Sequence, residues 1–315
     1  MNNASLTPQH ESVSRRSALT RLLGSALAGS AALGAGAALP GSATAQTVHP
    51  ASRAERLISL GGGITEVVYA LGAENQLVGT DTTSLYPPAA QNTAKVGYLR
   101  SLSAEGLLSL RPTAMVASSE AGPPVVLDQL RTAGVRVELV PIDHTWAEVQ
   151  RKVEAVGRAT RKVDESRALQ TRLDSEWQAA MASVAAFKPA SPPKVIFILS
   201  HSGSPMVSGG GTAADAVIRF MGARNALTGF QGYRPMTAEA VAAAAPDVVL
   251  LTTQGIEAMG GADKFWSRPE WRLTPAWRQR ETRETLVHRD ALELLGFTPR
   301  LPGLIRQLHE RVVKA

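Results

Sequence analysis

The sequence contains no cysteine among its 315 residues. This absence excludes disulfide frameworks, zinc–thiolate sites and cysteine-ligated iron–sulfur clusters, so any metal must be bound through nitrogen or oxygen. Aromatic residues make up only 5% of the chain, and the formal net charge of +6 is spread without a long Lys/Arg block. Such a chain lacks the basic surface of a nucleic-acid-binding protein, and we predict no nucleic-acid partner.

The first 45 residues have the pattern of an export signal. Arg15 and Arg16 form a twin-arginine pair, and residues 22–39 form a charge-free run rich in Ala and Gly. The run is followed by Ala43-Thr44-Ala45, a small-x-small pattern that predicts cleavage after Ala45. The pattern leaves open whether export uses the twin-arginine or the general route, and an uncleaved anchor is the alternative interpretation.

The rest of the chain repeats one order of elements. An apolar strand pattern at 56–60 leads through three glycines into a helical pattern at 64–72, and the same order recurs from 194 to 221. Strands that alternate with helices predict parallel sheets with right-handed crossovers. Because one core seldom serves a chain of this length, we predict an α/β protein with two Rossmann-like lobes.

A second repeat is closer in sequence. Pro112 lies seven positions after Glu105, and Pro246 lies seven positions after Glu239. Each segment predicts a helix that begins after a Ser or Thr cap, ends before the proline and leads into a buried strand. Each glutamate is therefore expected in the first turn of its helix, where a carboxylate complements the helix dipole.

Between the repeats lies a long amphipathic segment. Thr145 and Glu148 have the spacing of a capping box, and apolar residues continue at helical spacing to about residue 186. We predict one long helix that connects the lobes. The predicted organisation is a signal peptide (1–45), an N-terminal lobe (46–144), a connecting backbone helix (145–187) and a C-terminal lobe (188–315).

Four short passages of the first lobe occur in a fixed order. They are Gly62-Gly63-Ile-Thr-Glu66, Tyr86-Pro-Pro88, Val96-Gly-Tyr-Leu-Arg100 and Leu102-Ser-Ala-Glu105. In this order the chain resembles the class III periplasmic binding proteins of ABC importers, and Gly-Tyr-x-Arg before Leu-Ser-x-Glu resembles the haem-binding branch. The resemblance implies two α/β lobes joined by one backbone helix, a periplasmic location and ligand binding between the lobes.

The resemblance implies that Tyr98 is the ligand of ferric haem iron and that Arg100 supports it. The chemistry is sound, because a phenolate is a hard anionic donor and a known haem ligand. Two residues apart in an extended loop, the two side chains are expected to point the same way. Arg100 is then expected to contact the phenolate oxygen or a haem propionate.

The second lobe contributes three further candidates. His201 follows the strand pattern of 194–200, and ligands of α/β sheets usually lie beyond the carboxyl ends of strands. We predict that His201 faces the cleft as a second iron ligand, on one haem or on a second, stacked haem. By analogy with Tyr98 and Arg100, Tyr233 is expected to face the porphyrin and Arg234 to bind a propionate.

The resemblance also implies a partner and leaves alternatives. Glu105 and Glu239 are expected to dock a monomeric binding protein onto the two subunits of an inner-membrane permease. Siderophore or cobalamin binding is the alternative within the class. An exported serine hydrolase is a remote alternative, with Ser200 or Ser202 as candidate nucleophile and His201 or His288 as candidate base. The nucleophile-elbow motif G-x-S-x-G is missing, however. We therefore predict that the protein is not an enzyme.

Overall fold

The computed structural model describes residues 55–200 and 204–315. The predicted signal peptide and His201 lie outside the described residues. The first lobe is a parallel four-stranded sheet in the order β2-β1-β3-β4. Its strands are β1 (Leu57–Leu60), β2 (Leu77–Thr80), β3 (Ala114–Ser118) and β4 (Arg136–Val140), and its helices are α1 (Gly62–Ala70), α2 (Ala104–Ser109) and α3 (Pro124–Thr132), with 3-10 turns at Glu74–Gln76 and Pro88–Asn92.

The connection between the lobes is an antiparallel helical hairpin. It consists of α4 (Trp146–Thr160) and α5 (Val163–Ala186). The connecting segment predicted over 145–187 therefore consists of two helices rather than one, because the chain reverses at Arg161, whose φ of 59° is left-handed. Gly157 permits the reversal, since a Cβ there would lie 2.3 Å from the Oγ of Ser166.

Both helices join the two cores. In α4, Val149 packs in the core of the second lobe and Val153 in that of the first, and α5, the longer helix, makes the same connection. Leu169 and Leu173 pack in the core of the first lobe, whereas Trp177 and Met181 pack against the second. With 24 residues, the helix is about 36 Å long. The ring of Trp146 from α4 contacts both cores and stacks on Trp177, with centroids 4.8 Å apart and planes 3° from parallel.

The second lobe contains a six-stranded sheet. Strands β10, β9 and β5 are parallel, as predicted, but β6 runs antiparallel between β5 and β8, which the sequence did not predict. The strands are β5 (Lys194–Leu199), β6 (Met206–Ser208), β7 (Arg224–Asn225), β8 (Tyr233–Pro235), β9 (Val248–Thr252) and β10 (Leu286–Arg289). The helices are α6 (Ala213–Phe220), α7 (Ala238–Ala244), α8 (Thr253–Ala258), α9 (Gly261–Ser267), α10 (Pro275–Gln279), α11 (Ala291–Leu295) and α12 (Leu301–Leu308), with a 3-10 turn at Pro269–Trp271 and a π-helical turn at His309–Val313.

Both sheets are covered on their two faces. In β1, Leu57 packs on the side of α1 and α4, whereas Ile58 and Leu60 pack on the opposite side with residues of α2 and α3. In β5, Val195 and Ile196 likewise enter two different cores. Sheets buried on both faces leave their carboxyl ends as the open edge where ligands can bind.

The carboxyl ends of the two sheets meet at one place. Helix α1 begins where β1 ends, and α11 begins where β10 ends. Gly62 of α1 approaches α11 so closely that a Cβ would lie 2.5 Å from Leu292 Cδ1. A Cβ on Gly63 would lie 2.5 Å from the carbonyl oxygen of Gly296. These two glycines therefore serve the contact between the lobes, whereas the sequence suggested only a tight turn.

Two buried cation contacts reinforce this meeting point. Arg300 donates from Nε and Nη2 to the carboxylate of Glu66, at 2.9 and 2.6 Å. Lys152 of α4 donates to the carbonyl oxygens of Gly296 and Phe297, at 2.8 and 3.0 Å. Both contacts join the first lobe or its hairpin to the chain segment after α11, so the lobes are fixed at this edge.

Within residues 55–200 and 204–315, none of the helices combines the length and the apolar character that crossing a bilayer requires.

Candidate functional site

Tyr98 lies at the carboxyl edge of the first sheet. The carbonyl oxygen of Gly97 accepts from the amide of Thr82, just after β2, at 3.0 Å. The carbonyl oxygen of Leu99 accepts from the amide of Gly122, beyond β3, at 2.9 Å. The segment around Tyr98 is therefore held between the loops that follow two parallel strands, where α/β folds bind ligands.

The loop that leads to Tyr98 is held together by hydrogen bonds from Lys95. The ammonium group of Lys95 donates to the Oγ1 of Thr80 at 2.9 Å, to the carbonyl oxygen of Ser84 at 2.9 Å and to that of Ala90 at 3.0 Å. Burial lowers the pKa of Lys95, while Asp81 acts in the opposite direction. Three acceptors on one cation make this part of the loop a rigid support for the tyrosine.

Tyr98 and Arg100 meet as the sequence predicts, although in a turn rather than an extended loop. The turn is closed by a 2.8 Å bond from the amide of Ser101 to the carbonyl oxygen of Tyr98. Nη1 of Arg100 donates to the phenolic oxygen at 3.0 Å, and 44% of Tyr98 is exposed. An accessible phenolic oxygen thus has a permanent cation beside it.

Glu120 was not predicted from the sequence, yet it orients Arg100. Its Oε2 lies 2.5 Å from Nη2 of Arg100, just beyond the end of β3. Hydrogen bonding and charge from Glu120 raise the pKa of Arg100. The guanidinium therefore bridges a carboxylate and the phenol, and it supplies a donor that stabilises negative charge on the phenolic oxygen. The position of Glu120 after a buried strand is the signal that would have found it.

In the second lobe, Tyr233 and Arg234 are neighbours on β8 and have different surroundings. Tyr233 is half-buried, with its ring 6.5 Å from that of Phe197 and edge-on to it. Burial raises the pKa of Tyr233, although a hydrogen bond with Thr212 acts in the opposite direction. Arg234 is exposed, and its guanidinium lies 4.6 Å from the ring centroid of Phe230. Tyr233 therefore packs against the core of the second lobe, and its expected contact with the porphyrin stays a prediction.

The register of the sheet places Arg234 near its carboxyl edge. Leu199, the last residue of β5, pairs with Met206, which pairs with Pro235. Arg234 therefore lies one residue from the edge at which ligands are expected. In the described part of the chain no hydrogen bond or ion pair joins Arg234 to Tyr98 or Arg100.

The two glutamates of the repeat occupy equivalent places, as predicted. Glu105 lies in the first turn of α2, where the Oγ of Ser103 accepts from an amide, and Glu239 lies in the first turn of α7, capped in the same way by Thr237. Both carboxylates are exposed. Neither has a salt bridge within residues 55–200 and 204–315. Both are thus free to meet a basic partner.

Other chemistry has little support in these residues. Across the described positions, no group of three or more His, Asp or Glu side chains has the geometry of a metal site. His288 lies on β10, where its Nδ1 is 3.1 Å from the Oγ1 of Thr253. His309 is fully buried, with its Nδ1 2.8 Å from the carbonyl oxygen of Met221.

The chain matches the family described as periplasmic binding protein over residues 57–285. It is 26% identical over 218 residues to an uncharacterized ABC transporter substrate-binding lipoprotein, YvrC, of Bacillus subtilis, covering 69% of each chain. It is 35% identical over 88 residues to a vitamin B12-binding protein of Yersinia pestis, covering 28% of this chain and 31% of that protein.

Several solved structures have the same fold. The periplasmic heme-binding protein BhuT, in complex with two hemes, is 48% identical, with a TM-score of 0.77; the match covers 82% of this chain and 97% of that one. The periplasmic heme-binding protein RhuT from Roseiflexus sp. RS-1 is 35% identical, with a TM-score of 0.76; the match covers 82% of this chain and 98% of RhuT. The periplasmic heme-binding protein HutB of Vibrio cholerae is 31% identical, with a TM-score of 0.71; the match covers 81% of this chain and 98% of HutB.

These matches confirm the predicted fold class of two α/β lobes joined by a backbone helix, here α5. The family consists of substrate-binding proteins of transport systems rather than of a class of enzymes. On the family match over residues 57–285 and the shared fold, the chain belongs to the periplasmic binding protein family.

Proposed function

We propose that this protein captures ferric haem in the periplasm and delivers it to an ABC importer of the inner membrane. One observation carries the proposal: an exposed tyrosine, Tyr98, accepts a hydrogen bond from Arg100 at the carboxyl edge of its sheet. A phenolate is a suitable ligand for ferric iron, and the guanidinium stabilises its negative charge. The heme-binding neighbours at 31–48% identity support the same ligand.

The residues of this chain would divide the work between the lobes. Tyr98 holds the iron, Arg100 donates to its oxygen, and Glu120 fixes the direction of that donor. Arg234 is exposed near the facing edge of the second sheet and would pair with a propionate. His201, outside the described residues, remains a predicted second iron ligand.

Titration of the purified protein with hemin tests the proposal. We expect a saturable shift of the Soret band and a charge-transfer band of tyrosinate-ligated ferric haem, with an end point at one or two equivalents. His201→Ala is expected to change the spectrum only where histidine binds iron. A titration that shows only the spectrum of free hemin would refute haem capture.

Cobalamin is the second candidate, favoured by the 35% identity to a vitamin B12-binding protein over 88 residues. Isothermal titration with cyanocobalamin under the same conditions separates the two ligands. Saturable binding of cyanocobalamin without a hemin complex would replace haem with cobalamin as the cargo. Docking through Glu105 and Glu239 does not depend on which ligand the protein carries.

Glu105 and Glu239 are proposed to dock the protein onto a permease dimer, one glutamate to each subunit. Both are exposed first-turn carboxylates of equivalent helices, and two matched contacts reinforce one another when they bind together. The combined variant Glu105→Lys and Glu239→Lys is expected to reduce haem-dependent growth or uptake by at least tenfold, with an unchanged hemin spectrum.

A matched control for this variant is charge reversal at two other exposed carboxylates, Glu74 and Asp263, which lie in first turns outside the repeat and have no salt bridge among the described residues. That variant is expected to transport haem at the normal rate. Normal uptake by the Glu105 and Glu239 variant would contradict the docking role, and equal loss in both variants would reduce it to a nonspecific charge effect.

A further inference from the structure

Tyr86 is a large aromatic side chain that remains 43% exposed. It lies on the loop that follows β2, between Thr82, which bonds to Gly97, and the segment fixed by Lys95. Its neighbour Leu85 is also 43% exposed. The loop that carries Tyr98 and the loop that carries Tyr86 are therefore joined, and both present apolar surface to solvent.

One face of the Tyr86 ring is occupied by a residue of the second lobe. The guanidinium carbon of Arg300 lies 4.0 Å from the ring centroid. Arg300 is itself fixed by two hydrogen bonds to Glu66 of α1, at 2.9 and 2.6 Å. The ring therefore lies where the two lobes meet, and its neighbouring guanidinium is held by Glu66.

The exposure of the ring is not explained by the fold alone. A tyrosine held on one face by a paired arginine keeps its other surfaces for a ligand or for water, and exposed aromatic surface beside a cleft marks a contact site. Because the segment that carries Tyr86 is joined to the one that carries Tyr98, the ligand of Tyr98 is the expected partner of Tyr86. For a flat, largely apolar tetrapyrrole, an aromatic ring offers offset or edge-on stacking.

We propose that Tyr86 is a specificity-determining residue that packs against the porphyrin plane, with its ring held in place by Arg300. The inference rests on the proposed function, because it takes haem as the ligand. A guanidinium on one face draws electron density from the ring, which favours contact with the electron-rich porphyrin on the other side. The contact needs no iron, so it recognises the macrocycle whereas Tyr98 recognises the metal.

The alternative use of Arg300, as a binding site for a propionate, fits the surroundings less well. Its charge is already matched by the bidentate pair with Glu66. Asp290 lies close enough to Glu66, and Glu293 close enough to Arg300, to act on their pKa values. A further carboxylate would therefore enter a region in which negative charge already exceeds positive charge. The uncharged face of Tyr86 has no such cost.

Metal-free protoporphyrin IX tests this contact separately from iron ligation. Dissociation constants of the full protein are measured for protoporphyrin IX, by its fluorescence, and for hemin, by the Soret shift. We expect Tyr86→Leu to weaken both by about five- to tenfold, the usual worth of an aromatic contact. Tyr86→Phe keeps the ring and is expected to stay within about twofold of the wild type.

Tyr69→Leu provides the matched control. Tyr69 is a tyrosine of the same lobe near the end of α1, which is the end opposite to the contact at Gly62. Both dissociation constants are expected to be unchanged in this variant, and thermal unfolding of all three variants shows whether they are folded. A loss of affinity in Tyr69→Leu equal to that in Tyr86→Leu would overturn the assignment.

The remaining outcomes separate this inference from the proposed function. Wild-type protein that binds hemin but not protoporphyrin IX, or Tyr86→Leu that keeps its protoporphyrin affinity, would overturn the porphyrin contact and leave haem capture standing. Failure of Tyr86→Phe to restore affinity would also overturn it, because the phenolic oxygen would then be the contact. Wild-type protein that binds neither compound would refute both proposals.

Discussion

Tyr98→Phe is expected to abolish the tyrosinate charge-transfer band of the ferric haem complex and to weaken hemin binding by at least about 100-fold. The loss of an outer partner of a metal ligand alone typically costs about 10–100-fold, and this substitution removes the ligand oxygen itself. The benzene ring remains, so packing around position 98 is preserved. Absorption titration with hemin, with circular dichroism as a check of folding, measures the effect.

Two further variants show whether the effect belongs to the oxygen. Arg100→Met removes the donor 3.0 Å from that oxygen, and we expect the band to persist with about tenfold weaker binding. Tyr69→Phe removes a hydroxyl from another tyrosine of the lobe and is expected to change neither quantity. A Tyr98→Phe protein that retains the band would show that another residue ligates the iron.

Lys152→Met is expected to lower the free energy of unfolding by about 3–5 kcal/mol. Lys152 is 5% exposed, and its ammonium donates to Glu148 Oε1 at 2.7 Å and to the carbonyl oxygens of Gly296 and Phe297. Burial lowers the pKa of Lys152, while Glu148 acts in the opposite direction. Without the cation, Oε1 of the buried Glu148 and two carbonyl oxygens lose a donor, while the amides of Asp143 and His144 still donate to Oε2 of Glu148. Urea denaturation of the purified protein measures the loss.

The connecting helices provide a comparison for this variant. Arg172 on α5 pairs with Glu176 one turn later, and both side chains are exposed. Arg172→Met is expected to change stability by no more than about 0.5 kcal/mol, because exposed pairs contribute little. Combining Lys152→Met with Glu148→Gln is expected to recover part of the loss, since no unpaired charge remains and a side-chain oxygen still accepts from the amides of Asp143 and His144. A Lys152→Met protein as stable as the wild type would refute the anchoring role.

Local patterns were sufficient to predict much of the fold and half of the site. The strand and helix at 57–70, the capped helices at Ser103 and Thr237, and the exposed glutamates all depend on neighbours within a few residues. The contact between Tyr98 and Arg100 is equally local, although the chain forms a turn there rather than the extended loop from which the contact was predicted.

Contacts between distant residues could not be predicted in this way. Glu66 and Arg300 are 234 positions apart, and no pattern near either one indicates the other. Glu120 reaches Arg100 only because the loops after β2 and β3 lie side by side. The contact of the Tyr86 ring with Arg300 is likewise between distant residues. The role proposed for Tyr86 depends on this contact, so the sequence alone could not indicate it.

The connecting segment differs from the prediction only in its continuity, and the reason is different. The apolar residues of α4 and α5 follow helical spacing on both sides of Arg161, so periodicity indicated one continuous helix. What reverses the chain is a single left-handed residue, which is neither glycine nor proline, and the room that Gly157 leaves for Ser166. Gly157 signals a break in the sequence, but the antiparallel packing of the helices on either side depends on contacts that periodicity does not show.

The stacked rings of Trp146 and Trp177 have a consequence for spectroscopy. Two parallel indoles whose centroids are 4.8 Å apart couple strongly as chromophores, and the ring of Trp146 borders both cores. The near-ultraviolet circular dichroism of the protein therefore contains a signal that originates at the junction of the lobes. This signal would follow changes in their arrangement without any attached label and at wavelengths well separated from porphyrin absorption in the visible range.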